Sequence, residues 1–167
     1  MRRLNRYPAG LTHHWLEILG RLTDERLAAK DLKDQAKASV YKIIINSIYG
    51  KLEDQYSINR DASLQLAVVL NGQLFLIMLM EMFHNAGFEV ISANTDGVYI
   101  DAGDSLDEAQ VVADEWVKKT GFALEKDIAT RLVATSVNDY ALYDPERGWF
   151  HKKGRLGIGN RTQPAVI

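Results

Sequence analysis

Lys42, Asn46 and Tyr49 stand at i, i+4 and i+7 in the segment Lys42-Ile43-Ile44-Ile45-Asn46-Ser47-Ile48-Tyr49-Gly50, the spacing that lines one face of an α-helix. An ammonium, an amide and a phenol on one face suit a phosphorylated, base-bearing ligand. Lys42 would meet phosphate oxygens, and Asn46 and the Tyr49 ring would lie along a base pair. The same pattern also describes an amphipathic helix with a solvated lysine and a glycine stop, because Val40, Ile44, Ile45 and Ile48 on its other faces want a core. Upstream, Arg26 and Lys30 are i, i+4, and Lys33 and Lys37 extend that stripe if the helix is unbroken. Such a stripe can grip a triphosphate, since arginine offers a planar fork and lysine a point charge. Asp24, Glu25, Asp31 and Asp34 lie close enough to neutralise it instead.

A second constellation is Asn94-Thr95-Asp96-Gly97, set between two strand-like runs. Asp-Gly is a strong hairpin signal, so a bare turn explains it. A carboxylate at a hairpin tip is also a good ligand for Mg²⁺, which takes one or two protein carboxylates plus substrate phosphates. Asp101 and Asp104 follow as further acids or as edge-strand charges.

These residues must be held by the elements around them. Residues 12–32 read as helix, with Thr23 or Asp24 as a possible N-cap, and residues 33–50 continue it without Gly or Pro before Gly50. One long helix and a hairpin of two fit equally. Residues 52–61 are polar and loop-like, and 62–86 form a long apolar helix ended by Asn85-Ala86-Gly87. Residues 88–93 and 97–101 read as strands, and 105–120 as a helix with Val111, Val112, Trp116 and Val117 as its apolar stripe. Residues 131–137, 140–143 and 149–152 read as further strands, the last two joined at Asp144-Pro145-Glu146-Arg147-Gly148. The expected class is α+β: a helical segment, then a small, mainly antiparallel sheet packed on helices.

Composition allows one globular domain: 167 residues, 47% hydrophobic and 25% charged. The absence of cysteine rules out disulfides and thiolate metal sites. The start of the chain lacks the apolar run of a signal peptide. Asn71, Gln73 and Glu81 interrupt the apolar run at 66–83, which favours a buried helix over a membrane span. Charge is uneven: residues 1–60 balance at +4, residues 61–146 at −11 and residues 147–167 at +5. A polyanion would be repelled by the middle block and held by the ends. His13, His14, His84 and His151 show no ligand spacing.

Lys-x-x-x-Asn-Ser-x-Tyr-Gly is the second polymerase motif of the family B DNA polymerases, and residues 42–50 resemble it at every defined position. Asn94-Thr95-Asp96-Gly97 resembles that family's third motif, usually Asp-Thr-Asp-Ser, in a phage-like variant. Glu25-Arg26-Leu27-Ala28-Ala29-Lys30, Asn71-Gly72-Gln73-Leu74 and Glu81 also look like the phage branch. Val137-Asn138-Asp139-Tyr140 resembles the Lys-x-Tyr element at the primer–template minor groove, with Asn138 in place of the lysine, and Lys152-Lys153-Gly154-Arg155 resembles the basic strand after it. The likeness covers roughly residues 20–160.

The resemblance implies a fingers-like segment over 1–60, a partial palm over 61–160 and a tail at 161–167 leading toward a thumb. It implies that Arg26, Lys30, Lys42, Asn46, Tyr49 and Gly50 bind the incoming nucleotide, with Lys42 and Asp96 catalytic. Asp96 would ligate two Mg²⁺ ions, shared with a carboxylate outside this chain, in a two-metal in-line displacement. Thr95, Tyr140, Lys152, Lys153 and Arg155 would contact DNA. Implied partners are primer–template DNA, deoxynucleoside triphosphates and the remainder of a polymerase, with no membrane. The implied location is cytoplasmic, in the host if the chain is phage-encoded.

Two departures shape the expectation. Asn94 stands where the third motif usually has an aspartate. The first motif, Asp-x-x-Ser-Leu-Tyr-Pro, is missing: Tyr7-Pro8 is the sole Tyr-Pro pair, and Arg2 occupies the position of its aspartate. The chain is therefore expected to be inactive, or nearly so, by itself. The alternative is a non-catalytic nucleic-acid-binding or assembly module with a palm-like fold. A viral RNA-directed or reverse-transcribing polymerase is a third reading, which the residues at 42–50 disfavour.

Overall fold

Two helices, not one, carry the basic and amide-bearing residues: α1 (His14–Asp31) and α2 (Gln35–Gly50). The computed structural model describes residues 5–94, 97–136 and 138–160. Lys33 adopts a φ of +58°. Its N–H reaches the Lys30 carbonyl, and that of Asp34 reaches Ala29, each at 2.9 Å. This is the helix-closing pattern that usually employs glycine. The Asp34 carboxylate then accepts the Lys37 N–H at 3.0 Å and caps α2. The stripe from Arg26 and Lys30 to Lys33 and Lys37 is thus broken at the turn. Thr23 is no cap: it lies inside α1, where its hydroxyl donates to the Leu19 carbonyl at 2.8 Å. Asp24 lies inside α1 as well.

The chain divides into two compact units, Met1–Gly72 and Gln73–Ile167, and it is α+β, with 51% helix and 19% strand. In the first unit α1 and α2 pack on each other as a helical hairpin. Leu16, Leu19 and Ala29 of α1, Ala38 of α2, Leu52 and Leu64 are buried. Burying each of these leucines is worth about 1.5–3 kcal/mol. The loop at 52–61 is anchored at both ends, since the Asp61 N–H donates to the Leu52 carbonyl at 2.9 Å. The Trp15 indole N–H holds Asn59 at 3.2 Å.

Helix α3 spans Ala62–Asn85. It begins at Asp61, whose carboxylate accepts the Leu64 N–H and the Ser63 hydroxyl, each at 2.8 Å. By length and composition α3 could cross a membrane, a test that the core helix of a soluble protein also passes. It is less covered than expected: Leu64, Leu79 and Phe83 are buried, whereas Leu66, Val69, Leu70, Leu74 and Ile77 are exposed. The apolar residues run all round this helix, and its neighbours cover only part of the circumference.

In the second unit Leu79 and Phe83 pack with Phe88 and with Ala109 and Trp116 of α4 (Leu106–Thr120). Val90, Val98 and Ile100 lean on this core from β1 (Glu89–Asn94) and β2 (Gly97–Asp101). The apolar stripe of α4 keeps Val112, Trp116 and Val117 of the expected four, with Ala109 and Ala113 beside them and Val111 outside it. Ala109, Val112, Ala113, Trp116 and Val117 face inward, and Val111 is 66% exposed. The strands form two antiparallel ladders, not a single sheet: β1–β2, and β3 (Arg131–Ser136), β4 (Asp139–Asp144) and β5 (Gly148–Lys153) in the order β3-β4-β5. A short 3₁₀ segment follows at Gly154–Asn160.

Candidate functional site

In the first unit, α2 presents Lys42 and Asn46 to solvent and leaves Tyr49 half-buried. Lys42 forms no ion pair among the described residues, so its charge is available to an anion. Lys51, two residues beyond Tyr49, is instead paired with Asp54. Gly50 closes α2 without a left-handed turn, and Lys51 after it keeps a helical φ of −77°. The helix therefore stops where expected, by a different device. Val40 and Ile43 of α2 are 56% and 66% exposed, and only Ala38 of this helix is buried. Of the residues that the sequence assigns to a core, Val40 and Ile44 lie at the surface, and Ile45 and Ile48 are half-buried.

On α1, Arg26 is half-buried, forms no ion pair among the described residues, and lies one turn before the exposed Lys30. Lys37 is removed from their stripe by Glu25, whose carboxylate it meets at 3.5 Å. The Tyr41 hydroxyl donates to the same carboxylate at 3.4 Å. Glu25 thereby fixes the register of the hairpin and brings the level of Tyr41 and Lys42 opposite that of Glu25 and Arg26. Sequence spacing within one helix does not show such a cross-helix role.

In the second unit, β1 and β2 pair as far as Asn94 opposite Gly97, so the connection between them is the dipeptide 95–96. Thr95 and Asp96 lie outside the described residues. Asp101, at the far end of β2, accepts the Gly103 N–H at 3.0 Å and shapes the turn into α4. This is a structural use of the carboxylate. Tyr99 of β2 meets Tyr140 of β4 edge to face, with ring centres 5.4 Å apart. That contact joins β2 to the ladder that carries the expected DNA-binding residues.

Three of those residues come together. Tyr140 is paired in register with Lys153, and the Lys153 ammonium stands 5.9 Å from the Tyr140 ring centre. Such a cation over a phenol ring is a favourable contact. Arg155 lies just beyond, on the 3₁₀ segment, and its Nε donates to Asp139 at 3.3 Å. Lys152 is exposed beside them. The backbone N–H of Arg155, before the guanidinium, holds the Asp139 carboxyl below its usual range. Val137 lies outside the described residues. No family model matches this chain. No curated protein matches it significantly. Asp139 is a neighbour of Arg155 that sequence alone does not reveal, because it reaches Arg155 across sixteen positions of chain.

Donor chemistry tests the implied metal. Were Mg²⁺ held here, Asp96 would offer one carboxylate and Asn94 an uncharged amide, and a second carboxylate would have to come from another segment.

Proposed function

We propose that this chain is the fingers and part of the palm of a family B DNA polymerase, acting in template-directed transfer of deoxynucleotides to a primer 3′ end. The observation that carries the reading is the segment at 42–50. Every defined position of the motif is present on a single helix, with Lys42 and Asn46 exposed and Lys42 free of any ion pair among the described residues. Exposed, unpaired ammonium on a rigid helix is what a triphosphate requires, since a pre-set charge costs no rearrangement on binding.

In this reading Arg26, Lys30 and Lys42 hold the triphosphate, and Asn46, Tyr49 and Gly50 lie along the nascent base pair. Asp96 would hold Mg²⁺, which supplies positive charge beside the attacking and phosphate oxygens. Tyr140, Lys152, Lys153 and Arg155, with Thr95, track the duplex. Primer extension by the chain mixed with a polypeptide bearing Asp-x-x-Ser-Leu-Tyr-Pro tests this. Mg²⁺-dependent extension is expected from the mixture, none from the chain alone, and Asp96→Ala abolishes it.

The amide at Asn94 favours a second reading, a nucleic-acid-binding module that retains the fold without the chemistry. DNA binding that persists while no partner restores extension supports that reading over the first.

A further inference from the structure

Of the three cations at the end of β5, Arg155 is the one whose charge is already engaged. Lys152 and Lys153 form no ion pair among the described residues. Arg155 is held twice by one carboxylate: its backbone N–H meets Asp139 Oδ1 at 2.6 Å, and its Nε meets Asp139 Oδ2 at 3.3 Å. The two partners differ in surroundings. The Arg155 side chain is 78% exposed and that of Asp139 only 18%. The guanidinium is therefore open to an incoming anion on the side away from Asp139.

Asp139 is also fixed in place. Gly154 precedes Arg155 with a φ of +65°, and a Cβ there would overlap the Asp139 carboxylate and the Asn138 carbonyl. Loss of the guanidinium would leave Asp139 the Arg155 N–H, so its carboxylate is not stranded. Exchange of one anion for another around Arg155 is correspondingly inexpensive.

We propose that Asp139 is an internal stand-in for a DNA phosphate: it holds Arg155 in the free protein, and a backbone phosphate of duplex DNA displaces it. The proposal rests on the reading that this edge contacts DNA. Carboxylate and phosphate present the same hydrogen-bonding geometry to a guanidinium. Asp139 thus acts as a positioning residue that keeps Arg155 aligned and lowers the affinity for DNA.

Asp139→Asn retains an acceptor for the Arg155 N–H and removes the charge. With the full chain and a short DNA duplex, this variant binds about two- to fivefold tighter, the range of an exposed ion pair. The slope of log affinity against log salt stays nearly unchanged, because Arg155 meets the same phosphate in both proteins. In an Arg155→Ala background the gain disappears. The Arg155 Nε–H resonance of the unaltered chain shifts on addition of DNA, a readout independent of how any variant folds. A gain that persists undiminished with Arg155→Ala, or an unmoved Nε–H resonance, overturns the proposal. If Lys152→Ala and Lys153→Ala also leave binding unchanged, the DNA-contact reading fails along with it. If they weaken binding, only the role of Asp139 is lost.

Discussion

The rings of Phe83 and Phe88 meet edge to face, 6.0 Å between centres, across the turn where α3 ends. The Phe88 N–H reaches back to the Phe83 carbonyl at 3.0 Å, and the Gly87 N–H reaches His84 at 3.0 Å. Apolar contact and hydrogen bonds therefore close the same turn. It delivers the chain from the core helix into β1, the strand that leads to Asp96.

Gly87 has a φ of +90° and open space around its missing Cβ, and Gly72 lies mid-helix with equally open space. Alanine at the two positions should act in opposite directions. Gly87→Ala destabilises by about 1 kcal/mol through backbone strain alone. Gly72→Ala stabilises by up to about 1 kcal/mol through helix propensity. Urea denaturation of both variants checks the pair, and equal signs would contradict the assigned backbone conformations.

Trp116 is 6% exposed and its indole N–H donates to the Phe75 carbonyl at 3.0 Å. Phe122 closes over both rings, 5.2 Å from Phe75 and 6.2 Å from Trp116. Trp116→Ala should cost about 3–5 kcal/mol by opening a cavity. Trp116→Phe retains most of the packing and loses the hydrogen bond, about 1 kcal/mol, plus a smaller cavity. Denaturation followed by circular dichroism separates the two. A cost for alanine below that for phenylalanine would remove Trp116 from the core.

Asp61 caps α3 and also receives the Ala9 N–H at 3.3 Å. The Leu64 N–H first, then the Ser63 hydroxyl, hold its carboxyl below the usual range. A carboxyl depressed in the folded state stabilises above its unfolded pKa, near 4, and that contribution is lost as pH falls through the folded value. Asp61→Ala should cost about 0.5–2 kcal/mol at neutral pH. The gap between the unaltered chain and Asp61→Asn should narrow as pH falls below about 4. Because Asp54, Glu115, Asp127 and Asp139 are depressed as well, the difference between variants is the informative quantity. A gap that widens on acidification contradicts the assignment.

Much of the secondary structure is legible because strong local signals mark it. The stop at Gly87, the turn at residues 144–148 and the strand pair around 95–96 all carry glycine or Asp-Gly chemistry. The break between α1 and α2 is hidden for the converse reason: Lys33 takes the left-handed position that glycine usually fills. On α4 the expected face holds at Val112, Trp116 and Val117; Val111 is the exception, because the small Ala109 and Ala113, which do face the core, carry little apolar weight beside it. Coverage of α3 is illegible from its own residues, since an all-apolar helix gives no sign of which side its neighbours reach. At the candidate site the exposure of Lys42 and Asn46 follows from their helical spacing. Glu25 with Lys37, Tyr99 with Tyr140 and Asp139 with Arg155 are pairings between elements, which no periodicity encodes.

Lys42 and Lys51 supply an internal comparison for the nucleotide site. Both are exposed lysines, Lys42 midway along α2 and Lys51 just past its end, but Lys51 has its own carboxylate in Asp54 and Lys42 has none among the described residues. If Lys42 binds phosphate, Lys42→Ala removes a charge-assisted hydrogen bond worth about 1.5–3 kcal/mol, an affinity loss of about tenfold or more. Lys51→Ala removes only an exposed pair and leaves affinity within about twofold. Asn46→Ala, which alters a neutral contact, falls between them. Isothermal titration of a deoxynucleoside triphosphate with Mg²⁺ into each variant measures the series. Equal losses for Lys42→Ala and Lys51→Ala would mean that the ligand senses only overall charge, and the assignment of the α2 face to the triphosphate would not stand.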